Sequence, residues 1–182
     1  GQNIQGSPGP VIHLGPAPSE LLVDSTGSLR VAGFSIEVEG GPDLRAPSGY
    51  APFKPGTPAQ RAVYGLGALL VHLLGGERPG TAGDDARRQS AVIRRAIIRV
   101  LSRPGEAVPD TMTDLIRSVL AFEPEDRPTL SELQDVLVST AEQFRSAGLG
   151  TWAPERVPGL LKQAELGYPD PDTVRMRRHI ES

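Results

Sequence analysis

The chain has 182 residues, 38% of them hydrophobic, which is enough to bury a sizeable core, and its formal net charge of -3 excludes nucleic acid as the default partner. It contains no cysteine, so disulfides and thiolate metal sites are ruled out, and His13, His72 and His179 are too far apart in sequence to have ligand spacing. The most apolar run, 62–74, is shorter than the ~20 residues a bilayer span needs, and the polar, glycine-rich opening does not read as a signal peptide.

In chain order, residues 1–10 lack periodicity and are expected to form a flexible arm. Residues 11–13 make a short extended run. Residues 20–24 and 29–34 flank a turn in which Gly27 can take positive φ, which predicts a hairpin, and 35–39 continue as extended chain. A long loop spans 40–59, and a loop of that length inside a domain is usually functional or a binding surface.

The chain then reads as helical. A first helix over 59–75 is apolar nearly all round, which places it in the middle of a core, and Gly75-Gly76 ends it. A second, over 84–103, has Asp84 or Asp85 near its N-cap and an apolar stripe of Ile93, Ile97, Val100 and Leu101. A third, over 110–122, carries Met112, Leu115, Ile116, Val119 and Leu120 at the same spacing. A fourth opens on a Thr129/Glu132 capping box and turns Leu133, Val136, Leu137 and Phe144 inward. Beyond 145 the pattern weakens to short helical stretches near 158–166 and 171–180. Residues 146–182 are expected to pack on the preceding domain as an extension, with Trp152 as anchor.

Three stretches in this order resemble the C-terminal lobe of a bacterial Ser/Thr protein kinase. They are "HLGPAPSELLVDSTGSLRVAGFSIE", "SGYAPFKPGTPAQRAVYGLGALLVHLLGGERP" and "TDLIRSVLAFEPEDRPTLSEL". The resemblance covers roughly residues 11–140 and implies a mainly α fold with a small β-hairpin over 11–145. No phosphate-binding glycine loop or V-A-I-K-like strand precedes it, so the N-terminal β lobe is not expected in this segment. Nor is there room before residue 11 for the helix that normally covers the central one. The resemblance therefore implies an exposed apolar face there, covered by another chain, by the extension or by the rest of a longer polypeptide.

Active kinases use a loop of the pattern H-R-D-x-x-x-x-N, whose Asp takes the substrate proton and whose Asn holds magnesium. Carried over residue by residue, His13 remains, but Leu14 stands at the arginine, Gly15 at the base, Ala17 at the phosphate-touching lysine and Glu20 at the asparagine. Gly33-Phe34-Ser35 stands where D-F-G supplies the second metal ligand. The resemblance thus implies a pseudokinase: no catalytic residue, no cofactor and no metal. Ala51-Pro52-Phe53 replaces A-P-E, so Arg127 lacks its usual carboxylate and is expected to reach solvent, Glu123 or Asp126. Ala62 replaces the aspartate that ties the central helix to the catalytic loop, and the glycines of 65–67 read as packing.

Function is then expected in binding, as a scaffold or protein-interaction module of bacterial signalling. The arginine bias, with only Lys54 and Lys162 as lysines, suggests a GC-rich genome. The expected location is cytoplasmic, alone or within a larger or membrane-attached protein. The candidate partner-binding residues are Arg87, Arg88, Arg94, Arg95, Arg99 and Arg103 of the second helix, which read either as a solvated face or as a dock for an acidic protein or peptide. Without aromatic platforms beside them, nucleic acid is not the expected ligand. Ser48, Tyr50 and Thr57 occupy positions where activation segments are phosphorylated, but Leu14 leaves no arginine to read the mark. The alternative is an atypical nucleotide- or metal-dependent enzyme reusing the cleft through Glu20, Asp24 and Glu37.

Overall fold

The computed structural model describes residues 17–31, 49–103, 108–143 and 148–165. Among these the protein is mainly α, with five α-helices and one two-stranded hairpin, the fold class that the periodicity predicts. The arm 1–10, the runs 11–13 and 35–39, the helical stretch 171–180, and Leu14, Gly15, Gly33, Glu37 and Phe144 lie outside the described residues.

Strands β1 (Leu21–Val23) and β2 (Leu29–Val31) form the hairpin. Asp24 holds its turn: the carboxylate accepts from the Thr26 amide at 2.9 Å, the Thr26 hydroxyl at 2.6 Å and the Ser28 amide at 3.0 Å. Gly27 takes φ 86°, and a Cβ there would lie 2.5 Å from the carbonyl oxygen of Leu149. The Thr26 hydroxyl, followed by the Ser28 and Thr26 amides, holds the Asp24 pKa below the ordinary aspartate value. A folded-state pKa below the unfolded one means that the turn is supported above the usual aspartate range and loses that support as pH falls through the folded pKa. In an NMR titration of the full chain, the Thr26 and Ser28 amides should therefore shift together with a midpoint below about 3.9. A midpoint at or above that value, or an unchanged titration in Asp24→Ala, would remove Asp24 from this role.

Helix α1 (Pro58–Gly75) starts one residue before the periodicity does, because Thr57 caps it and Pro58 fits its first position. Thr57 and Gln60 bond reciprocally: the Gln60 amide donates to the Thr57 hydroxyl at 3.3 Å and the Thr57 amide to the Gln60 side chain at 2.8 Å. The helix ends where Gly76, at φ 76°, donates its amide to the His72 carbonyl. Residues 62–65 and 67–69 are all buried, so α1 is the core helix its composition implies. Leu66, Leu70 and Leu74, four residues apart, are only partly buried on α1, and Leu73 beside them is 52% exposed.

Helix α2 (Ala86–Leu101) is capped by Asp85, whose carboxylate accepts from the Arg88 amide at 2.7 Å. Its inward face is Gln89, Val92, Ala96, Ile97 and Val100, which corrects the predicted stripe: Leu101 is 54% exposed. Gln89 turns the helix. Its side chain accepts from the Gly83 amide at 2.8 Å and donates to the Leu120 carbonyl at 2.7 Å, so a buried amide occupies a slot that an apolar count leaves empty.

Helix α3 (Asp110–Val119) buries Met112, Leu115, Ile116 and Val119, as its spacing predicts, and ends earlier than 122. A 3-10 turn (Pro124–Asp126) leads to α4 (Leu130–Ala141), opened by the Thr129/Glu132 box. Leu133 is buried on α4, with Val136 and Leu137 packed partly against the core. Helix α1 packs against α2, α3, α4 and both 3-10 turns, of which the first is Pro18–Glu20.

Helix α5 (Leu149–Glu165) runs through Pro154 and Pro158, where proline reads as a breaker and a shorter helix was predicted. Its buried residues are Ala153 and Val157, whereas Trp152, the expected anchor, is 41% exposed. Of the described residues, 17–21, 31, 49–103 and 108–143 form one compact unit, and 22–30 with 148–165 form a second.

Candidate functional site

The segment that resembles a catalytic loop is described from Ala17 onward. The Ala17 methyl is buried, and its amide donates to the Glu20 carboxylate at 2.7 Å across the 3-10 turn. The Glu20 carboxylate is thereby engaged by the Ala17 amide, and Asp24 is committed to the hairpin turn. Among the described residues no group of three His, Cys, Asp or Glu side chains could hold a metal ion.

Arg127 overturns the expectation placed on it. It reaches neither solvent nor an acid: it is 6% exposed and makes its hydrogen bonds to main-chain carbonyls. Nε donates to Ala121 at 3.0 Å, Nη1 to Pro55 and Gln60 at 3.4 Å each, and Nη2 to Lys54 at 2.8 Å and Phe122 at 3.2 Å. A guanidinium has five N–H donors, and this cage supplies an acceptor for every one. The Tyr64 ring adds a cation–π contact, with the guanidinium carbon 5.2 Å from its centroid. Burial lowers the Arg127 pKa, partly opposed by Tyr64, Glu125 and Glu123. Glu123 pairs instead with Lys54 at 2.6 Å. The cage joins the loop before α1 and the first turn of α1 to the chain after α3, with no carboxylate at position 53.

Phe53 is consequently free of that network. It is 57% exposed and stacks on Phe122, with centroids 6.4 Å apart and planes 12° from parallel. The two phosphorylation candidates that are described, Tyr50 and Thr57, both have structural work. Tyr50 is 2% exposed with its hydroxyl on His72 Nδ1, and Thr57 caps α1. Gly49 holds φ 95° beside them, and a Cβ there would meet the Pro79 oxygen at 2.7 Å.

The six arginines of the second-helix region do not act as one set. Arg88 pairs with Asp84 and lies 3.8 Å from Asp85. Arg99 pairs with Glu77 at 3.3 Å and donates to the Arg78 carbonyl at 3.2 Å. Arg103 donates to the Leu73 and Leu74 carbonyls at the C-terminal end of α1, where a cation opposes the helix dipole. Arg99 and Arg103 thus tie the end of α2 to the chain around the end of α1, whereas the Arg88 pair is exposed and local to one helix end. Arg87, Arg94 and Arg95 are exposed and have no acid partner among the described residues.

Arg88 and Arg95 rim an open groove of about 530 Å³ that is also lined by Phe53, residues 81–84, Ala91 and Val92. The sequence offered no sign that Phe53 belongs with α2. It stood out only as a missing acid. The groove brings together an exposed aromatic ring, an apolar floor and the two cations Arg88 and Arg95, with Thr81 and Asp84 also in its lining. No protein-family model matches the chain, and none of the curated proteins compared with it matches either.

Proposed function

We propose that this chain is a kinase-like C-terminal lobe without phosphoryl transfer, a pseudokinase module that binds a protein partner or serves as a scaffold in bacterial signalling. The observation that carries this reading is the use made of the catalytic-loop positions: Ala17 contributes a buried methyl, and Glu20 bonds to the Ala17 amide. The Arg127 cage supports it further, since main-chain carbonyls take the place of the acid that the resemblance expects at position 53. No helix among the described residues is long and apolar enough to cross a membrane. The reading places the module in the cytoplasm, by itself or within a larger or membrane-attached protein.

The test is phosphate release and phosphotransfer with labelled ATP and magnesium, alongside a thermal-shift titration with the same nucleotide. The expected result is no turnover and no shift in melting temperature. Magnesium-dependent turnover that Glu20→Gln or Asp24→Asn abolishes would replace this reading with an enzyme that reuses the cleft.

A further inference from the structure

The α2 stripe lining the groove is Arg88, Ala91, Val92 and Arg95 at i, i+3, i+4 and i+7. Two small or apolar side chains therefore sit between two cations, and Phe53 supplies an aromatic wall beside them. The helix carries five arginines and no acidic residue within a chain of net charge -3, so its positive charge is concentrated on this element. The cations are unequal. Arg88 is already offset by Asp84, whereas Arg95 bonds through Nε to the Ala91 carbonyl at 3.2 Å and has no acid among the described residues. The chemistry it lacks is a carboxylate.

Resting on the docking role argued above, we infer that this groove binds an acidic peptide segment of a partner protein, with one large apolar residue between carboxylates. The apolar residue sits over Ala91, Val92 and Phe53. One carboxylate pairs with Arg95, and the other approaches Arg88 in competition with Asp84. Spacing supports this order. Seven residues of helix separate the two arginines by about 10 Å at 1.5 Å per residue. An extended peptide covers that distance in about three residues. The matching ligand has acids about three positions apart with the apolar residue between them, and it binds more weakly as salt rises.

The probe is a fluorescein-labelled peptide Asp-Glu-Leu-Ser-Glu-Asp, titrated with the full chain by fluorescence anisotropy. A second peptide carries Asn and Gln in place of the acids. Arg95→Glu and Phe53→Ala should each weaken binding about tenfold or more, as expected for a groove cation and an aromatic anchor. Arg87→Glu, off the groove stripe on the same helix, should change it less than about threefold. Each variant is checked by circular dichroism and thermal melting, and all three positions are exposed enough for the fold to persist. Absence of binding, equal weakening by Arg87→Glu and Arg95→Glu, or equal binding of the uncharged peptide would overturn the groove assignment. Those results leave the non-catalytic reading standing, whereas ATP turnover overturns that reading whatever the peptide does.

Discussion

Arg127→Met should lower the unfolding free energy by about 3 kcal/mol, near the cost of leaving buried acceptors without their charged donor. Methionine replaces much of the arginine's volume and removes every N–H. The expected loss therefore comes from the carbonyls of Lys54, Pro55, Gln60, Ala121 and Phe122, and a packing defect contributes little. A buried ion pair can often be replaced by apolar side chains without loss, because both charges leave together. That route is closed here, since the acceptors belong to the main chain and stay. Arg127→Lys should fall between the two: three donors on a point charge cannot reach acceptors arrayed around a planar fork. Urea denaturation of the three proteins decides it, read as midpoint shifts at constant slope. If Arg127→Met matches the wild type while Arg127→Lys is destabilised, the cage contributes no net stability.

The cage also marks where sequence reading stops. Arginine in "EDRPTLSEL" is conspicuous, and the neighbouring acids Glu123 and Asp126 were the natural partners to assign. Backbone carbonyls have no letter in a sequence, so an arginine satisfied by them looks unsatisfied. Gln89 is the same case in miniature: counted as polar, it lies at the centre of the α2 inward face because the Gly83 amide and Leu120 carbonyl receive its side chain. Signals carried by local chemistry were legible. Thr129 with Glu132, one of Asp84 and Asp85 ahead of α2, and Gly75-Gly76 after α1 each solve a helix-end problem within a few residues; the structure caps α2 with Asp85 and α1 with Gly76. The groove was half legible. Arg88 and Arg95 were on the page, but Phe53 joins them only when the loop before α1 folds back, and Arg99 and Arg103 drop out because they bond to chain twenty or more residues away.

Gly67 shows a close approach that the sequence could mark only as packing. A Cβ added there would lie 2.3 Å from Val119 Cγ2 and 2.7 Å from Val119 Cβ, so α1 and α3 meet at a distance only hydrogen permits. Two effects oppose each other in Gly67→Ala. Alanine favours the helix over glycine by about 1 kcal/mol. Forcing a methyl into a filled core costs about 1–3 kcal/mol, and more when the neighbour cannot turn aside. Val119 cannot: it is β-branched, lies in a helix with one strongly preferred rotamer and is 0% exposed. Overpacking should therefore win, and Gly67→Ala should be the less stable protein by about 1–2 kcal/mol in urea denaturation. Val119→Ala alone should also destabilise, by opening a cavity. Together they should lose less than the sum of the two single losses, with a coupling of about 1 kcal/mol or more, because each change removes the other's defect. Additive losses would mean that the helices separate to admit the methyl. Gly67→Ala at or above wild-type stability would show that helix propensity, and not the α1–α3 contact, governs this position.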